Sequence, residues 1–289
     1  MKNLLITGAS GFIGRNLSEH FASTKTYRLF LPTSRDLNLT DKTGVGDYLR
    51  KNSITHIIHA ANIGGARNKA ESKDVVDINL RMFFNLVLHE HSFERMIYFC
   101  SGAAYDKSKP IEDAVEEDVL QELPSDGYGF YKNVLARYLS LRQDRKIIAL
   151  RLFGVYGKYE DHSIRFISNA ITNNLHGKPI TIGQNVVFDY LFVQDLFQVV
   201  GLALEKDLTY NTYNVTKGEK IDLLTLASLV NQVADKKSPV KLFKPGLNFE
   251  YTGSNLRLLK ELDPHIRFTP HLTAIRNLYA WYKENLPKA

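Results

Sequence analysis

Residues 4–14, Leu-Leu-Ile-Thr-Gly-Ala-Ser-Gly-Phe-Ile-Gly, constrain the fold more than any other stretch of the chain. The apolar run Leu4-Leu5-Ile6 reads as a buried parallel strand. It enters a tight turn holding Gly8, Gly11 and Gly14, and a helical pattern over 12–22 follows. Each glycine has its own physical task. Gly8 allows the turn out of the strand, Gly11 lets backbone approach a pyrophosphate closely, and Gly14 lets the helix pack against the strand. The helix N-terminus then offers free N–H groups and a positive dipole end to phosphate. A strand before the glycines and a helix after them separate this pattern from an ordinary glycine-rich turn. The stretch implies a dinucleotide-binding chain.

The rhythm of the first half agrees. Apolar runs at 2–7, 27–31, 56–60, 96–100 and 146–150 read as strands. Helical patterns at 12–22, 42–51, 74–91 and 128–142 lie between them. Strand and helix in alternation mean a doubly wound α/β fold, a parallel sheet with helices on both faces. Ligands of such sheets sit beyond the carboxyl ends of the strands. Past residue 157 the rhythm loosens: helices are expected at 163–175, 194–205 and 272–284, with short strands near 179–182 and 186–188. We expect residues 1–157 to form the nucleotide-binding domain, with about 185–212 returning to it. Residues 158–184 and 213–289 are expected to form a smaller α+β substrate lobe.

Composition narrows the function classes. At 44% hydrophobic and 24% charged residues the chain reads as an ordinary soluble globular protein. No apolar stretch approaches the roughly 20 residues that span a bilayer, and the N-terminus carries no secretory pattern, so no membrane insertion is expected. The single cysteine, Cys100, excludes an internal disulfide and a cysteine metal cluster. It reads as a small buried residue in a cytoplasmic protein, and no metal site is expected. The net charge of +6 comes from scattered Lys and Arg without interleaved aromatics. It fits attraction for an anionic ligand and not nucleic-acid binding.

The second strand is followed by Pro32-Thr33-Ser34-Arg35-Asp36. A carboxylate at such a strand end suits the ribose hydroxyls of NAD, whereas an Arg with a hydroxyl neighbour suits a 2′-phosphate. Ser34 and Arg35 therefore favour NADP(H) over NAD(H), Arg15 adds charge, and Asp36 lies past the expected position. The pattern Tyr-x-x-x-Lys occurs at Tyr105/Lys109, Tyr128/Lys132, Tyr213/Lys217 and Tyr279/Lys283. Only Tyr128 opens a helix lying between two sheet strands, and there the two side chains share one face. A neighbouring ammonium favours the phenolate of a tyrosine whose free pKa is about 10. Ser101, directly after the fourth strand, has a hydroxyl placed to bond a substrate oxygen beside that tyrosine.

Thr7-Gly-Ala-Ser-Gly-Phe-Ile-Gly14, His59-Ala-Ala61, Ser101 ahead of Ala104-Tyr105, Tyr128-x-x-x-Lys132 and Arg151-Leu-Phe-Gly-Val-Tyr-Gly157 occur in this order. Together they resemble the extended short-chain dehydrogenase/reductase superfamily, in its nucleotide-sugar epimerase/dehydratase branch. Phe188-Asp-Tyr-Leu-Phe-Val-Gln-Asp195 and Phe268-Thr-Pro270 resemble later segments of the same branch. The resemblance implies a catalytic set of Ser101, Tyr128 and Lys132. It implies pyrophosphate contacts from Gly8, Gly11, Phe12, Ile13 and Gly14, and adenine contacts from Asn38 and Leu39. Ala60, Ala61 and Asn62 would line the nicotinamide ribose, Asn79 would support the central helix, and Phe153 joins the cofactor set. A homodimer through the helices at 74–91 and 128–142 is also implied.

Departures from the branch narrow the chemistry. Gly102-Ala103 follow Ser101 where 4,6-dehydratases carry Asp-Glu, which speaks against water elimination. Ala103 stands where epimerase-reductases of the fucose-synthesis type carry a catalytic Cys; their reductase half is untouched. Phe188 replaces the arginine that usually holds the nucleotide diphosphate. Arg165 or Lys178 takes that charge, or the substrate has no diphosphate; Ser101, Gly102 and Ala103 complete the expected substrate set. The expected activity is NADP(H)-dependent reduction of a nucleotide-activated 4-keto-6-deoxy sugar. A redox-neutral 4-epimerase with tightly held NAD is the alternative, and a non-catalytic dinucleotide-binding relative the third reading.

Overall fold

The computed structural model describes residues 1–65 and 70–286. Strands β1 (Lys2–Thr7), β2 (Tyr27–Phe30) and β3 (His56–His59) alternate with helices α1 (Phe12–Thr24), α2 (Lys42–Lys51) and α3 (Val75–Val87). There follow β4 (Arg95–Ser101), β5 (Ile111–Ala114), α4 (Gly127–Ser140), β6 (Ile147–Leu152) and β7 (Gly154–Tyr156). The second half holds α5 (Phe166–Leu175), β8 (Ile180–Asn185), β9 (Val187–Phe192), α6 (Asp195–Glu205), β10 (Thr212–Val215) and β11 (Lys220–Asp222). It ends with α7 (Leu223–Val233), β12 (Val240–Leu247), β13 (Tyr251–Gly253), α8 (Leu256–Leu262) and α9 (His271–Asn285).

The main sheet is parallel and six-stranded, in the order β10-β6-β4-β3-β1-β2. Alternate residues of each strand enter opposite cores, as the two-residue period of a strand requires. Leu5 and Ile57 pack with α2, α3 and α4, whereas Leu4, Ile6 and Ile58 pack with α1, α6 and α8. This is the doubly wound α/β fold expected from the alternation. A third core joins α5, α7 and α9 over the remaining strands.

Those strands form a second sheet, β11-β9-β13-β5 with β7 beside β9, and a two-stranded pair of β8 and β12. β5 and β7 lie early in the chain and yet pair with late strands, so the second sheet is sewn from distant segments. The helix expected over 74–91 stops at Val87, where the His89 ring bonds the Lys42 carbonyl at 3.0 Å and turns the chain. The helix expected from residue 128 starts one residue earlier, because Asp126 caps it through the Gly129 N–H at 2.8 Å.

Candidate active site

A cavity of about 880 Å³ opens at the carboxyl edge of the main sheet, between the glycine turn and the segment 160–165. Its floor is backbone. Gly8 has φ +68°, and a methyl there would stand 2.7 Å from the Ala61 nitrogen; one on Gly14 would stand 2.2 Å from the Gly8 carbonyl oxygen. Only glycine fits either position. Gly11 stands at the N-cap of α1 with no side-chain cap, and the first turn of the helix holds no acidic residue. Its first N–H groups therefore face the cavity with the dipole's positive end. A pyrophosphate fits this cradle, which makes it the place where a dinucleotide cofactor would be held.

The ends of β1 and β3 are locked together beside it. The Thr7 hydroxyl bonds Nδ1 of His59 at 2.8 Å and accepts the Ala61 N–H at 3.3 Å. Burial pushes His59 down to about 3, so its ring is neutral and structural. The Asn79 carboxamide accepts the Ile63 N–H and donates to the Ile63 carbonyl, both at 3.0 Å, which fixes the chain leaving β3.

Of the expected cofactor residues, Gly8, Gly11, Phe12, Ile13, Gly14, Ser34, Asn38, Leu39, Ala60, Ala61 and Asn62 all line this cavity. Asn79 acts behind its wall. Arg35 and Arg15 do not line it. The Arg15 guanidinium instead stacks 3.7 Å from the Tyr159 ring and faces Glu19 at 3.5 Å, on the outer side of α1. Asp36 is turned away, its carboxylate accepting from the Thr33 N–H at 2.9 Å and hydroxyl at 2.7 Å.

A second cavity of about 450 Å³ adjoins the first. Phe12, Ile13, Ala60, Asn62 and Gly65 line both, and so do Tyr128, Glu160 and Arg165. Tyr128 therefore stands where the contents of one cavity meet those of the other. Burial holds its phenol up at about 12, while a hydrogen bond with the Ser101 hydroxyl works in the opposite direction. Ser101 also accepts the Ala103 N–H at 3.1 Å, which starts the tight turn after β4. Lys132 is fully buried, and its ammonium donates to the Phe99 carbonyl at 2.6 Å. Burial pushes it down to about 8. It stands 5.7 Å from the centre of the Tyr128 ring. The downward pull on the phenol expected from Lys132 is opposed in the folded chain by burial of the ring.

Ser101, Ala103, Lys132, Phe153 and Arg165 line the second cavity; Lys178 lines neither. Phe153 therefore borders the second cavity and not the cofactor cleft. Gly102 is packed under Tyr251 and Phe153, where a methyl would meet the Tyr251 hydroxyl at 2.5 Å. The Arg165 guanidinium makes no ion pair within 4 Å and no side-chain hydrogen bond among the described residues, though it feels the charges of Glu160 and Asp161, and it lines both cavities. Sequence reasoning missed Lys107 and Lys109, which follow β4 at the edge where ligands of such sheets bind. It also missed Glu160, pushed up to about 8 by burial, and the wall of Phe249, Glu250 and Tyr251. No motif marks that last wall; the pairing of β13 with β5 on one side and β9 on the other brings it there.

Comparison with known proteins agrees with this geometry. Residues 4–216 match the NAD dependent epimerase/dehydratase family. A GDP-L-fucose synthase of Azorhizobium caulinodans is 27% identical over 255 residues, covering 80% of each chain. A GDP-L-fucose synthetase from Naegleria fowleri superposes with a TM-score of 0.85 at 16% identity, over 98% of this chain and 93% of that one. A GDP-mannoheptose C4 reductase from Campylobacter jejuni, solved with NADP bound, gives a TM-score of 0.82 at 18% identity over 98% of both chains. At such identities the structural likeness is one of fold. Among the described residues no helix is long and apolar enough to cross a membrane.

Proposed function

Because this chain belongs to the NAD dependent epimerase/dehydratase family and is an NAD(P)-dependent enzyme of the extended short-chain dehydrogenase/reductase type, we propose that it is an NADP(H)-dependent reductase of a nucleotide-activated 4-keto-6-deoxy sugar. The observation that carries this reading is the meeting of the two cavities at Tyr128, with Ser101 and Lys132 on the wall of the second. When bound, the nicotinamide supplies the hydride. Tyr128 gives its proton to the sugar's carbonyl oxygen as that oxygen gains charge, and Ser101 orients the same oxygen. Lys132 keeps a positive charge beneath them.

Ser34 on the cavity wall and Asp36 folded back onto Thr33 leave no carboxylate at the expected adenosine ribose, which supports NADP over NAD. Arg165 is the residue we assign to the substrate's diphosphate, in place of the arginine that Phe188 replaces. Its guanidinium makes no side-chain hydrogen bond among the described residues and lines both cavities beside Tyr128. A homodimer through α3 and α4, and a cytoplasmic setting, belong to the same reading. The test follows nicotinamide absorbance while NADPH and nucleotide-linked 4-keto-6-deoxy sugars are mixed with the protein. Stoichiometric loss of NADPH with one of them is the expected result. Sugar isomers interconverting over a co-purified cofactor, with no NADPH consumed, would replace the reductase by the 4-epimerase.

A further inference from the structure

Glu71 has no part in the chemistry above, yet it touches the backbone of the central tyrosine. One carboxylate oxygen accepts the Gly127 N–H at 2.8 Å and the other the Tyr128 N–H at 2.8 Å. Asp126 already caps the same helix, so a second carboxylate is not needed to start it. What Glu71 adds is a tie between α4 and the segment joining β3 to α3. The near end of that segment is fixed at Ile63 by Asn79. Gly65, between the two ties, lies on the Tyr128 ring so closely that a methyl there would stand 2.8 Å from Cε2. Asn62 and Gly65 are also wall residues of both cavities. Gly127 makes the tie possible: a methyl at that position would stand 2.9 Å from the Glu71 carboxylate and 2.8 Å from Val75.

We propose that Glu71 is a positioning residue for the reduction. It latches the residues just before α3 to the first turn of α4, where Val75 packs against both Gly127 and Gly64, and so fixes the gap between the wall at Gly64 and Gly65 and the Tyr128 phenol. The mechanistic consequence rests on the reductase reading; the latch itself does not. A small error in that gap is costly, because hydride and proton reach one carbonyl group from two different walls.

Three variants test it: Glu71→Ala, Glu71→Gln and Gly127→Ala. Hydrogen exchange at the Gly127 and Tyr128 amides reads the latch without any substrate. Exchange of these two amides rises about tenfold in Glu71→Ala, and less in Glu71→Gln, which keeps one carbonyl acceptor. With NADPH and the keto sugar, kcat falls about tenfold in Glu71→Ala while KM for the sugar holds, and Glu71→Gln recovers part of the loss. Gly127→Ala, with Glu71 intact, reproduces the fall in kcat. Unchanged exchange in Glu71→Ala would overturn the latch; faster exchange with unchanged kcat would overturn its role in the reaction. If the wild-type protein consumes no NADPH with any sugar, the reductase reading fails, and the exchange experiment still decides the latch.

Discussion

The two cavities are built in different ways. The cofactor side has a main-chain floor from one contiguous stretch, with a left-handed Gly8, Gly11 at the start of α1 and a Gly14 with no room for a methyl, and is walled by residues from 32–40, 60–65 and 160–165. The substrate side is mostly side chains collected from far apart, with Lys107, Phe153, Arg165, Phe188 and Phe249 on one surface. Backbone recognition leaves few substitutions open, so one side is rigidly specified. Side-chain recognition leaves the other free to change ligand while the chemistry stays in place. Tyr128 belongs to both.

The comparison breaks most visibly at that shared residue. Tyr128→Phe should lower kcat by about 10²–10⁴, the usual worth of a placed general acid, with NADPH affinity measured by fluorescence titration unchanged. On the cofactor side, Gly8→Ala forces a side chain into a left-handed turn against Ala61 and should lose about 1–3 kcal/mol of stability together with NADPH binding. Gly201→Ala is the control: it lies within α6, nothing stands within 4 Å of the added methyl, and denaturation should show a gain of up to about 1 kcal/mol. On the substrate side, Arg165→Met should raise KM for the nucleotide sugar at least tenfold, the loss of a charge-assisted hydrogen bond, and leave the fold intact. An unchanged KM would move the diphosphate to Lys107 and Lys109.

The smallest effects concern pH. Lys132 is charged below about 8 and loses its proton above it, so turnover should decline on the alkaline side near pH 8. Lys132→Arg keeps its charge and should carry that decline to higher pH. Glu160 titrates in the same range, but Glu160→Gln should leave the decline where it is. Its own effect is on stability: burial raises Glu160 from 4.5 to about 8, so the folded chain keeps a proton that the unfolded chain releases in that window. Stability therefore falls as pH rises from 4.5 to 8, and Glu160→Gln should flatten the fall in thermal melts taken across it.

What the sequence made legible follows the same division. The glycine turn, the alternation of strands and helices, and Tyr128 with Lys132 on one helical face are local patterns, and local patterns survive in one dimension. The resemblance to a family supplied Asn79, whose use as a clamp on Ile63 no periodicity announces. Arg15 misled because its spacing places it near the glycine turn, while Tyr159 and Glu19, more than a hundred residues apart, decide where its side chain goes. Lys178 misled in a similar way, as a charge on the right lobe but lining neither cavity. The phenol's high pKa was illegible because burial is a property of packing, and the motif names the ammonium without the desolvation around it.

The uncapped start of α1 has a consequence for how the protein is handled. A helix whose first turn is left to the solvent is completed by whatever anion settles on it, so ligand binding and folding share that free energy. Saturation at a hundred times Kd adds about 2.7 kcal/mol to the resistance of the whole chain to heat. Purified with its dinucleotide, the protein should withstand warming, storage and proteases that the same chain, stripped by dialysis, would not.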